Sequence, residues 1–100
     1  MLFRSDLVMA SHKPVIVAGD FNTFWGEHEI YLFMKACRLR SANTDSLPSY
    51  PSRSPRKELD FVLYGEGVRV TRFAIPAVRF SDHLPLVCDF EIEKRTQAAA

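Results

Sequence analysis

Val15-Ile16-Val17-Ala18-Gly19-Asp20-Phe21-Asn22 is the stretch that decides how this chain is read. Four apolar residues in a row, opened by Pro14, spell a strand that is apolar on both faces, as in a central parallel strand. The run then ends in glycine, carboxylate and amide. Burying a charge is costly unless it is paired or bound to a metal, so polar atoms at this point need a reason. In α/β proteins, sites gather where strands end at their carboxyl edge. Two further phrases repeat the pattern: Leu59-Asp60-Phe61-Val62-Leu63-Tyr64 and Ser81-Asp82-His83-Leu84-Pro85-Leu86. Each sets an acid, or an acid–histidine pair, beside an apolar strand. Three such junctions imply one polar site in an α/β fold.

The size and composition set the frame for that site. A chain of 100 residues allows one small domain. Its 47% hydrophobic and 25% charged residues are ordinary for a globular protein. The apolar runs are far too short to span a bilayer, and no signal-peptide pattern opens the chain. A net charge of +1 argues neither for nor against nucleic acid. Cys37 and Cys88 both fall in apolar stretches and read as reduced core residues, because two cysteines make no disulfide framework or zinc motif.

Around the first junction the chain divides into short elements. Residues 2–10 suggest a weak helix, ended by His12-Lys13-Pro14 because proline disfavours helix at the residue before it. The clearest helix is predicted over Glu27 to Leu39, where Ile30, Phe33, Met34 and Cys37 form a core-facing stripe. Glu27 and Glu29 near its start, and Lys35, Arg38 and Arg40 near its end, suit the helix dipole. Residues 41–58, rich in serine, proline and charge, read as one long loop. Loops of that length in compact domains are often functional. Strands are predicted at 59–64, 68–75 and 84–92. In the last, Leu86, Cys88, Phe90 and Ile92 alternate with Val87, Asp89 and Glu91 as in a half-buried strand. Residues 93–100 read as a frayed tail.

With these phrases in place, the chain resembles the endonuclease/exonuclease/phosphatase superfamily, which includes DNase I-like nucleases, repair endonucleases, inositol polyphosphate phosphatases and sphingomyelinases. Gly19-Asp20-Phe21-Asn22 is similar to that family's Gly-Asp-x-Asn motif, Asp60 to its later strand aspartate, and Ser81-Asp82-His83 to its terminal motif. Ser49-Tyr50-Pro51-Ser52 stands where many bacterial relatives carry Thr-Phe-Pro-Ser. The resemblance covers Pro14 to Ile92. It implies the C-terminal part of a DNase I-like α/β sandwich, a mixed sheet with flanking helices, so that residues 1–100 form a single partial domain. The family's N-terminal asparagine, metal-binding glutamate and second histidine find no match here.

The resemblance also implies roles for individual residues. Asp20 takes a proton from an attacking water, and Asn22 hydrogen-bonds that water or the phosphate. Asp60 accepts a hydrogen bond from His83, which in its protonated form donates to a phosphoryl oxygen. Asp82 holds or faces a divalent metal, Mg2+ or Mn2+, whose preference for carboxylate oxygen fits. From the residues themselves, Arg53 and Arg56, with Lys57, read either as meeting an anionic substrate from the long loop or as keeping that loop solvated. Phe24 and Trp25 read as packing against the helix, with a place in the substrate floor as the alternative, and His12 and His28 read as solvated. The substrate is a phosphate ester of a nucleic acid, a phosphoinositide or a phospholipid head group. The competing expectation is a catalytically incomplete fragment that folds or binds only with an N-terminal segment or another copy of the chain. In that case part of its sheet is left uncovered.

Overall fold

The computed structural model describes residues 13–21 and 27–93. The weak helix of residues 2–10, His12, Asn22, Phe24, Trp25 and the tail from residue 94 lie outside the described residues. The elements run β1 (Ile16–Asp20), α1 (Glu27–Cys37), β2 (Arg40–Ser41), β3 (Asp60–Tyr64), β4 (Val68–Ala74) and β5 (Val87–Ile92). Two antiparallel sheets result among them, one of order β1-β3-β2 and one made of β4 and β5.

Strand periodicity explains the first sheet. Side chains alternate faces along a strand, and directly opposed residues of an antiparallel pair share a face. Val17 pairs with Leu63 and Gly19 with Phe61, so these residues turn to one side. The stripe of α1 covers that side. Phe21, Ile30, Phe33, Leu39, Phe61 and Leu63 form the core, with Val17, Met34 and Cys37 packed against it. Phe21 stacks on Phe61 (centroids 5.5 Å apart) and meets Phe33 edge-on at 6.4 Å. Contacts of these geometries contribute about 0.5–1.5 kcal/mol each beyond the area they bury.

The other face carries Ile16, Ala18, Asp20, Asp60, Val62 and Tyr64, and here the parallel-strand reading is corrected. β1 pairs antiparallel with β3, and Ile16 and Ala18 are exposed. A continuous apolar run looks the same whether its second face is covered or open. The helix also ends before Leu39. Arg38 takes a left-handed conformation (φ 57°), and the Leu39 N–H folds back to the Met34 carbonyl at 2.8 Å. This closing turn satisfies a helix-end carbonyl and buries Leu39 against the core.

β4 and β5 form a hairpin-like pair with a bulge between Val70 and Arg72. Val68 faces Ile92, Val70 faces Phe90 and Phe73 faces Cys88, which makes one side apolar as the alternation predicts. The burial expected of that side is not met at its far end, where Phe90 is 47% and Ile92 54% exposed. Strand pairing begins at Val87, and residues 84–86 approach the first sheet instead.

Candidate active site

The register of the first sheet sets two acids against each other. Asp20, the last residue of β1, lies directly opposite Asp60, the first of β3. Like charges opposed across a sheet are destabilising. Gly19 precedes Asp20 with φ at 153°, a conformation that side-chain-bearing residues rarely adopt. The chain therefore uses a permissive residue to deliver a charge to an unfavourable place.

His83 relieves the conflict. Its Nδ1–H donates to Asp60 Oδ2 at 2.7 Å, and its Nε2 stands 3.7 Å from Asp20 Oδ2. The first is a short, charge-assisted bond, while the second, beyond hydrogen-bond length, is an ion pair when the ring is protonated. His83 is held above the ordinary imidazole pKa, chiefly by the hydrogen bond to Asp60. Burial pulls it the other way, and the charges of Asp60, Asp20 and Asp82 add to the rise. The Tyr50 ring lies against the imidazole, with centroids 4.8 Å apart and planes at 47°.

The long loop builds the wall that holds this histidine. The Asn43 side chain donates to the Leu47 carbonyl and to Glu58, and accepts from the Leu47 N–H, which knits residues 43–58 together. Tyr50 and Lys57 form a β-bridge. The Ser52 N–H donates to the Asp82 carbonyl and the Leu84 N–H to the Ser49 carbonyl, both at 2.7 Å, so the turn grips the chain on either side of His83. Ser49 Oγ donates to Asp60 Oδ2 at 2.7 Å. Residues 41–58 are therefore a hydrogen-bonded cradle. Sequence reasoning missed Ser49 and Tyr50 as parts of the site, although the Ser-Tyr-Pro-Ser phrase was the signal that could have found them.

Asp20, Asp60 and His83 thus come together, with ligand atoms within 4.8 Å of one another. An open concavity of about 270 Å³ adjoins them, lined by Ala18, Asp20, Asp60, Val62 and the Leu84-Pro85-Leu86 segment. The Asp82 carboxylate does not belong to this group. It is exposed and accepts a hydrogen bond from Ser81 Oγ. Arg53 and Arg56 are exposed on the loop, as is His28 on the helix. Cys37 and Cys88 are free thiols, half-buried, and burial raises both of their pKa values.

Comparison with known proteins agrees with this arrangement. The chain is 36% identical over 86 residues to a UPF0294 protein of Erwinia tasmaniensis, a match covering 81% of the chain and 30% of the relative. It therefore spans about a third of the length of that curated relative. No solved structure matches. The sequence profile of the Endonuclease/Exonuclease/phosphatase family matches residues 5–83, which takes in the Asp20, Asp60 and His83 phrases. On that match the chain belongs to the endonuclease/exonuclease/phosphatase family, whose kind of function is phosphoester hydrolysis.

Proposed function

We propose that the chain carries the site of a metal-dependent phosphoester hydrolase that works by in-line attack of water on phosphorus. The observation that carries this reading is the His83 ring set between the Asp60 and Asp20 carboxylates. Asp60 engages Nδ1 and favours the protonated ring, in which the Nε2–H donates to a phosphoryl oxygen and offsets the charge developing there. Asp20, the more exposed of the two acids (45% against 18%), takes the proton from the attacking water. Asn22, two residues on, aligns that water. No side chain becomes a covalent nucleophile.

The donor chemistry fits a hard divalent cation, Mg2+ or Mn2+. Asp60 Oδ2 already accepts two hydrogen bonds, and imidazole nitrogen is a poor magnesium ligand. The exposed Asp82 carboxylate would hold the cation, and one or two carboxylates are what magnesium takes from a protein. A bound cation supplies polarisation of a phosphoryl oxygen. Arg53 and Arg56 offer guanidinium forks to an anionic substrate. That substrate is a nucleic acid, a phosphoinositide or a phospholipid head group, which share the phosphate the site addresses.

The test is Mg2+-dependent release of nitrophenol from bis(p-nitrophenyl) phosphate by residues 1–100. Turnover should vanish in Asp20→Ala and His83→Ala. Undiminished turnover in both variants would discard the assignment.

A second reading is that the site works only with a further segment or a second copy of the chain. Exposed Ile16, Phe90 and Ile92, and a relative of which the chain covers 30%, favour it. Mass in solution and turnover of the chain alone separate the two. A stable monomer whose turnover depends on Asp20 removes the second reading.

A further inference from the structure

Ser49 is a fully buried residue (0% exposed) that the proposed chemistry leaves without a part. A hydroxyl is costly to bury unless it is hydrogen-bonded, and this one spends its proton on Asp60 Oδ2. The same oxygen receives the His83 Nδ1–H, and both bonds measure 2.7 Å. Two donors on one oxygen fix which carboxylate oxygen faces the imidazole. Without the hydroxyl, Asp60 has one donor and can rotate its carboxylate while keeping that bond only in part.

The backbone of the same residue ties the other half of the pair. The Ser49 N–H donates to the Lys57 carbonyl, and its carbonyl accepts from the Leu84 N–H, one residue after His83. Ser52 holds Asp82, one residue before. A single turn therefore grips the histidine's segment through its backbone and the aspartate through its side chain.

We infer that Ser49 is a positioning residue that sets the rotamer of Asp60 so that Oδ2 meets His83 Nδ1. It touches no reacting atom and acts through Asp60. The turnover arm of its test rests on the phosphoester reading, while the spectroscopic arm does not.

The variants are Ser49→Ala, Ser49→Val and Ser49→Thr in the full chain. Thr and Val have nearly the same volume, so overpacking falls on both and the hydroxyl alone separates them. With bis(p-nitrophenyl) phosphate and Mg2+, Ala and Val should lower kcat about 10- to 100-fold at unchanged KM, the range seen when a partner of a site ligand is removed. Thr should restore most of it. In ¹⁵N-edited spectra the His83 Nδ1–H signal should be sharp in the parent and in Thr, and lost to solvent exchange in Ala. Equal kcat in Thr and Val, or an undisturbed Nδ1–H signal in Ala, overturns the inference. Should the parent show no turnover, the phosphoester reading fails by itself and the imidazole signal decides the role of Ser49. Should Thr and Val not fold, the comparison of Ala with the parent decides it.

Discussion

Around His83, polar side chains are buried and matched. Ser49 meets Asp60, Asp60 meets His83, the Asn43 side chain is held by the loop, and the Ser52 N–H donates to the Asp82 carbonyl. Among the described residues no buried side-chain nitrogen or oxygen is left without a partner. The β4–β5 pair differs, since its apolar side ends in exposed Phe90 and Ile92 and its polar side in an exposed Arg69–Glu91 ion pair. A residue's class therefore does not tell which part of this chain is built to completion. The corner is complete because hydrogen bonds saturate with few partners at short range. An apolar face needs an area of cover, and the described residues do not supply enough of it.

The largest expected effect lies in the corner. His83→Gln should lower turnover by about 10²–10³-fold, the cost of losing a donor aimed at developing charge, while the circular dichroism spectrum stays unchanged. Retained turnover would leave the corner's hydrogen bonds as architecture only, and the contrast would lose its functional meaning.

Next comes packing. Leu63, 0% exposed beneath α1, should cost about 2–5 kcal/mol when cut to alanine. Ile92→Ala on the hairpin, 54% exposed, should stay within about 0.5 kcal/mol in urea unfolding. Equal costs would mean that the hairpin face is covered in solution, and the comparison would break there.

A smaller effect comes from pH. His83 is raised in the folded chain, mainly by its hydrogen bond to Asp60. Its contribution to stability is fully present below the unfolded imidazole value of about 6.5. It is lost as pH rises through the raised folded value. Unfolding free energy measured across that window should fall in the parent and flatten in Asp60→Asn. A parent curve that climbs there would contradict the pairing.

The smallest effect sharpens the contrast between pairs. Glu91→Gln removes the exposed partner of Arg69 and should change stability by at most about 0.5 kcal/mol, less still in added salt. A larger loss would show that the hairpin's polar side holds more than its exposure suggests.

Much of this was open to reading in the residues alone. The stripe of Ile30, Phe33, Met34 and Cys37 foretold α1 and the side it buries, because helical period and burial are the same fact seen twice. The three acid-bearing phrases contain Asp20, Asp60 and His83, the residues whose side chains come together. Local pattern stops there. That β1 runs antiparallel to β3, so that Asp20 faces Asp60, depends on a pairing partner some forty residues away along the chain. Ser49 lies 11 residues from Asp60, and His83 lies 23 from it, so no window of sequence contains the triad. The same holds for Asp82, a neighbour of His83 in sequence whose carboxylate stands outside the group. Side-chain period is a property of one strand or helix and is written locally. Which oxygen receives which proton depends on where separate segments meet, and only the folded chain decides that.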